Sequence, residues 1–104
     1  MNTDTVARWA WPRGRLHLQS IDWRERLHIA LQLRLGREPT LSDLAYNSDA
    51  DGHRTTVTIT VDDTDYEFRG AVQDSTGAAI RCVAWVALMQ LCNAGILETP
   101  LPFT

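Results

Sequence analysis

The sequence predicts one α+β domain in the order α-β-β-β-α, with a three-stranded antiparallel sheet and two helices packed on one face of it. Three observations predict this fold: the chain length, a β-hairpin pattern in the second half of the chain, and a long apolar helix pattern directly after it. A chain of 104 residues, 44% hydrophobic and 22% charged, has the size and composition of a single globular domain with its own core.

The hairpin has the clearest local pattern. Residues 55–61 read T-T-V-T-I-T-V, so valine and isoleucine alternate with threonine. β-Branched residues at a period of two are typical of a half-buried strand. Residues 62–65 (D-D-T-D) are typical of a turn, and residues 66–72 therefore predict the returning strand.

The first helix is predicted to begin at Asp22 and to end at Gly36. Asp22 and Glu25 stand at the spacing of an N-terminal capping box, and glycine is the usual residue just after a helix. Residues 39–46 fit either a short helix or an irregular first strand. The turn residues that follow them favour the strand.

The last helix is predicted to begin at Asp74 or Ser75 and to end at Asn93. Its middle is almost wholly apolar, and a helix that is apolar all round has to be buried on at least two sides. The sheet covers one side, so we expect a second contact surface. At 100° per residue, the residues on that second side are Arg81, Trp85, Leu88 and Cys92.

The two ends of the chain are predicted to lie outside the domain. We assign residues 1–20 to an N-terminal arm, residues 21–97 to the α+β domain and residues 98–104 to an extended C-terminal tail. The first twenty residues show no secretory signal pattern, and no apolar stretch is long enough to span a bilayer. We therefore expect a cytoplasmic protein without a membrane contact.

The arm combines aromatic and basic side chains: Arg8, Trp9, Trp11, Arg13 and Arg15. Two interpretations stay open. The tryptophans either fold back onto the domain's own core, or they and the arginines contact a partner or stack on nucleic-acid bases.

Charge is unevenly distributed along the chain. Residues 1–38 hold seven arginines and four acids, for a net charge of +3, whereas residues 39–104 hold three arginines and nine acids, for −6. All ten basic residues are arginine. A basic and an acidic side allow a head-to-tail contact between copies.

The sequence predicts no metal site and no reactive thiol. Residues 47–52 (N-S-D-A-D-G) match the opening of a calcium loop, but Thr58 stands where the twelfth-position glutamate is required. The three histidines lack the spacing of ligands on one helical face. Cys82 and Cys92 are about 15 Å apart along one predicted helix, which is too far for a disulfide. We expect no metal, no cofactor and no catalytic residue.

The stretch from Leu41 through residues 51–54 (D-G-H-R) and the T-T-V-T-I-T-V strand to Phe68 and Gly70 resembles the three strands of the double-stranded-RNA-binding domain. The resemblance covers residues 22–94 and implies the α-β-β-β-α fold.

In that family a K-K-x-A-K motif opens the last helix and its lysines contact RNA phosphates. The matching positions here are Ser75, Thr76 and Ala79, which follow Asp74, and none of them is basic. RNA binding is therefore disfavoured, because phosphate neutralisation supplies most non-specific affinity. Members of the family without the motif commonly act as protein-interaction or dimerisation modules.

A second resemblance covers residues 41–97. The hairpin, Gly70 and the G-A-A start of the helix at residues 77–79 look like the regulatory domain of 2-isopropylmalate synthase, which dimerises and binds an amino-acid effector. That family has two βββα units and this chain has one. The resemblance implies a small-effector-binding regulatory domain formed by paired copies.

The leading functional hypothesis is a non-catalytic protein-interaction module that forms a homodimer. Nucleic-acid binding through the arm and small-effector binding are the alternatives. The expected contact residues are Arg81, Trp85, Leu88 and Cys92 on the last helix with Trp9 and Trp11 of the arm.

Overall fold

The computed structural model describes residues 21–98 and confirms the predicted α+β fold. The elements in chain order are α1 Trp23–Leu35, β1 Leu44–Ser48, β2 Thr55–Val61, β3 Thr64–Arg69 and α2 Thr76–Asn93. The strands form an antiparallel sheet in the order β1-β2-β3, and the helices pack on one face of it. The predicted arm (residues 1–20) and residues 99–104 of the predicted tail lie outside the described residues.

Helix α1 begins and ends where the sequence predicted. The carboxylate of Asp22 accepts a hydrogen bond from the N–H of Glu25 at 3.1 Å, which satisfies one of the free donors at the helix start. Gly36 follows the last turn with φ of 73°, a conformation that costs little without a side chain. The buried face of α1 consists of Trp23, Leu27, Ala30 and Leu31.

An ion pair holds the connection between α1 and β1. The Arg37 guanidinium donates to both oxygens of Asp43, at 2.6 and 2.9 Å. The Thr40 N–H and hydroxyl donate to the same carboxylate at 2.8 and 3.0 Å. Hydrogen bonding to Arg37, followed by that to the Thr40 N–H, holds the pKa of Asp43 well below its usual range. Asp43 is therefore a buried acid whose charge is fully compensated.

Strand β2 lies in the middle of the sheet and follows the predicted alternation. Its odd-numbered residues face the helices and are buried, while Thr56, Thr58 and Thr60 lie on the outer face. Ile59 is opposite Leu44 on one side and Tyr66 on the other. The favoured strand over residues 39–46 is confirmed only in its last part: β1 spans Leu44–Ser48, and residues 41–43 form a turn before it.

The β2–β3 turn is shorter than the sequence predicted. Only Asp62 and Asp63 lie in it, both with positive φ (53° and 63°), and residues 64 and 65 already belong to β3. A two-residue turn with two positive φ values matches the right-handed twist of a hairpin, and aspartate tolerates this conformation better than most residues do. β3 correspondingly ends at Arg69 and not at residue 72.

Helix α2 packs against β2, β3 and α1. Of its two predicted start residues, the structure uses Ser75, whose hydroxyl accepts from the N–H of Ala78 at 3.1 Å. α2 approaches the end of β3 closely, because a Cβ added to Gly70 would lie 3.1 Å from the Cβ of Val83. Neither helix in the described part of the chain is long and apolar enough to cross a membrane.

Candidate functional site

The predicted contact surface of α2 is smaller than expected, because Leu88 is 0% exposed. The packing of α2 on both α1 and the sheet buries Leu88 within the chain itself, so it is not accessible to a partner. Arg81, Trp85 and Cys92 are half-buried. Met89, which the sequence argument did not include, is half-buried as well. The accessible part of this surface is thus a narrow stripe along α2.

The residues predicted for nucleic-acid binding cannot be placed beside this stripe. Arg8, Trp9, Trp11, Arg13 and Arg15 all lie outside the described residues. Their role therefore stays a prediction.

The outer edge of β3 is the second candidate surface. Within residues 21–98, β3 pairs with β2 on one side only. The N–H of Gly70 donates to the carbonyl of Thr55 at 3.0 Å, and this bond shows which residues of β3 direct their main-chain groups toward β2. In an antiparallel ladder, alternate residues direct their N–H and C=O groups to the same neighbour. Tyr66 and Phe68 therefore bond β2.

The main-chain groups of Asp65, Glu67 and Arg69 consequently point to the open side of β3. Their side chains lie on the outer face of the sheet and are exposed. Along the strand the first two are acidic and the third is basic. Asp65 accepts a hydrogen bond from the hydroxyl of Thr60 at 2.7 Å. Among the described residues, no ion pair involves Glu67 or Arg69.

The face of β3 that points toward the helices is apolar. Phe68 is 5% exposed and Tyr66 is half-buried. A cavity of about 300 Å³ lies between β3 and the end of α2, and residues lining it include Tyr66, Phe68, Leu91 and Ile96. The open edge thus has charged side chains on one face, apolar side chains on the other, and between them main-chain groups that have no strand partner within residues 21–98.

No family model, curated protein or solved structure matches this chain. The two family resemblances therefore stay predictions.

A cleft of about 720 Å³ between α1 and β1 is the third candidate. Its lining includes Arg24, His28, Leu44 and Tyr46. The Tyr46 hydroxyl is buried and has no hydrogen-bond partner within the described residues, and burial raises the pKa of Tyr46. The Arg24 guanidinium lies 5.3 Å from the centroid of the Tyr46 ring, within the range of a cation–π contact. Sequence analysis missed this cleft, because residue patterns do not show how α1 and β1 lie beside each other.

The acidic loop before β2 is a closed turn. The N–H of Gly52 donates to the carbonyl of Asp49 at 2.8 Å, and the N–H of His53 donates to the Asp51 carboxylate at 3.1 Å. Gly52 has φ of 78° and fits against Thr76 at the start of α2. In the described part of the chain, no group of three or more histidine, cysteine, aspartate or glutamate side chains is placed to hold a metal ion.

Proposed function

We propose that this domain is a non-catalytic protein-interaction module that binds a partner strand along the open edge of β3. The observation that supports the proposal is the set of main-chain N–H and C=O groups of Asp65, Glu67 and Arg69, which point away from β2. Such groups form hydrogen bonds with an extended segment laid beside them, while the alternating side chains select that segment.

The edge has few of the features that prevent strand addition. β3 has six residues, contains no proline, and pairs with β2 in continuous register from Thr64 to Arg69. Natural sheets commonly protect an exposed edge with charged side chains, proline, a bulge or an inward-pointing charge. Of these, β3 has the charged side chains of Asp65, Glu67 and Arg69, which lie on its outer face. The inward-pointing side chains here are Tyr66 and Phe68, which are apolar and border the cavity under β3.

Replacing Glu67 by proline tests the proposal. The N–H of Glu67 points to the open side, so its loss leaves the β2–β3 hydrogen bonds in place and removes one donor from the edge. Glu67→Thr is the matched control, because it removes the same charge and keeps the N–H. Sedimentation measures complexes of the purified chain, and capture from the host extract measures complexes with other proteins. We expect both kinds of complex to be lost with Glu67→Pro and kept with Glu67→Thr.

Two results would contradict the proposal. One is a set of complexes that survives Glu67→Pro unchanged, since a contact elsewhere would then explain them. The other is an absence of any complex, in sedimentation and in capture, with the wild-type chain. Circular dichroism of both variants checks that the sheet is intact.

A second candidate function is the binding of a small molecule in the cleft between α1 and β1. The buried Tyr46 hydroxyl supports it, because it has no hydrogen-bond partner among residues 21–98 and buried polar groups usually have one. The cleft volume also lies within the range of ligand sites. A panel of free amino acids and nucleotides can be screened by the changes that they cause in amide NMR chemical shifts. We expect a ligand that shifts the amide signals of residues 44–46 and that binds more weakly to Tyr46→Phe. Shifts confined to other regions, or equal affinity for Tyr46→Phe, would reject this function.

A further inference from the structure

We infer that the segment that binds the open edge is β3 of a second copy of this chain. The two β3 strands run antiparallel, and the twofold axis lies midway between the two copies of Phe68 (the axis at Phe68). This inference rests on the proposed use of the β3 edge. It follows from the hydrogen-bond directions along β3 and from the charges on its outer face.

The hydrogen-bond directions limit the registers that are allowed. Asp65, Glu67 and Arg69 present their main-chain groups to the open side, so each has to stand opposite another residue of this set or of its continuation. Any twofold axis that lies midway between the two copies of one β3 residue meets this condition. With the axis at Phe68, Glu67 and Arg69 of the two copies exchange four main-chain hydrogen bonds, and the two sheets become one six-stranded sheet.

The charges select the axis at Phe68. In that register Glu67 stands opposite Arg69 of the second copy, and Arg69 stands opposite Glu67, so two oppositely charged pairs form on the outer face. Asp65 stands opposite Ala71, and its carboxylate already accepts a hydrogen bond from Thr60 of its own chain. Every directly opposite pair that includes a charged side chain is then favourable or neutral.

The neighbouring registers bring like charges together. An axis at Glu67 pairs Asp65 with Arg69 twice but places the two copies of Glu67 opposite each other, a like-charged pair that the axis at Phe68 does not have. An axis at Arg69 places the two copies of that arginine opposite each other. An axis at Tyr66 places Asp65 opposite Glu67 twice. Like charges directly opposite each other on adjacent strands are destabilising, so these three registers are disfavoured.

The apolar face fits the same register. The two Phe68 side chains meet at the axis, and Tyr66 stands opposite Gly70, so that a large side chain faces a residue without one. The cavity under β3 lies directly beside this contact, between Tyr66, Phe68 and the end of α2. The second copy would cover it. The charged side chains on the outer face and the apolar side chains on the inner face are thus both compatible with the axis at Phe68.

Charge reversal tests the register. In Glu67→Arg or in Arg69→Glu both cross-strand pairs change from attraction to repulsion, and each variant is expected to dimerise about tenfold more weakly or worse. The double variant Glu67→Arg/Arg69→Glu exchanges the two charges and restores both pairs. Its dimerisation constant by sedimentation equilibrium is expected to return to within about threefold of wild type. Glu67→Arg paired with Arg24→Glu on α1, which restores the net charge and leaves Arg69 unchanged, is the control that should not recover.

Disulfide formation reads the register independently of charge. Residues opposite each other in a hydrogen-bonded pair have Cα atoms about 5.5 Å apart, within disulfide range. A mixture of Glu67→Cys and Arg69→Cys chains is therefore expected to cross-link under mild oxidation. Each variant alone, or mixed with wild type, is expected to stay largely uncross-linked.

The outcomes separate this inference from the proposed function. A wild-type chain that stays monomeric at high micromolar concentration overturns the inference, while other complexes lost with Glu67→Pro would still support edge binding. A dimer that is lost with Glu67→Pro but not restored by the charge exchange, and not cross-linked in the cysteine mixture, overturns the register. A dimer unaffected by Glu67→Pro overturns both.

Discussion

Replacing Gly70 by alanine is expected to destabilise the fold, although glycine to alanine adds only one methyl group. The new Cβ would lie 3.1 Å from the Cβ of Val83 and 3.3 Å from the main-chain N and Cα of the same residue. Those atoms belong to the middle of α2 and cannot move without shifting the helix on the sheet. Overpacking of this kind costs about 1–3 kcal/mol. For a domain of this size, this loss lowers the melting temperature by roughly 4–8 °C per kcal/mol.

Gly77 offers the matched control within the same chain. A Cβ at Gly77 would meet only the flexible end of the Arg81 side chain, at 3.4 Å. Because alanine favours a helix more than glycine does, Gly77→Ala is expected to stabilise the fold by up to about 1 kcal/mol. Thermal unfolding followed by circular dichroism measures both variants. Equal stability of Gly70→Ala and wild type would refute the close contact between α2 and the end of β3.

Three further stability predictions follow from single residues. Asp63→Gly is expected to raise stability in urea by about 0.5–1 kcal/mol, because glycine adopts the positive φ of Asp63 without strain; a lower midpoint would contradict this. Leu88→Ala is expected to cost about 2–5 kcal/mol in the same assay, since Leu88 is fully buried, and a loss below about 1 kcal/mol would mean that it lies at the surface. Asp43→Asn is expected to destabilise the fold at neutral pH, because it breaks the paired contact with Arg37. Because the pKa of Asp43 is lowered in the folded state, its stabilisation is present above the unfolded-state pKa of about 4 and is lost as the pH falls below that value. The unfolding free energies of Asp43→Asn and wild type in urea are therefore expected to converge in acid and to differ at neutral pH.

Local signals were sufficient for the ends of the helices. The caps at Asp22, Gly36 and Ser75 depend on hydrogen bonds and φ values within a few residues, so the sequence displays them directly. The alternation of β2 is equally local, because a strand between two neighbours and under a helix needs one buried face. These features therefore agreed with the prediction.

Features that the local residue pattern does not determine were missed. Leu88 was placed on a partner surface because helical geometry alone does not reveal that α1 and the sheet together cover it. The partnership of Asp43 with Arg37 was not foreseen, since a lone aspartate in a loop is usually exposed. The turn was overestimated because Asp62 and Asp63 occupy a conformation that sequence patterns associate with Asn-Gly. The open edge of β3 could be identified only after the strand order was known.

Amide hydrogen exchange of the wild-type chain at increasing concentration tests the central claim, that the β3 edge binds a second copy. The amides of Glu67 and Arg69 point to the open side, whereas the amide of Phe68 bonds β2 and serves as an internal control. We expect the exchange of Glu67 and Arg69 to slow from low to high micromolar concentration, while that of Phe68 stays slow throughout. Exchange of Glu67 and Arg69 that is fast and unchanged over this range would contradict the account.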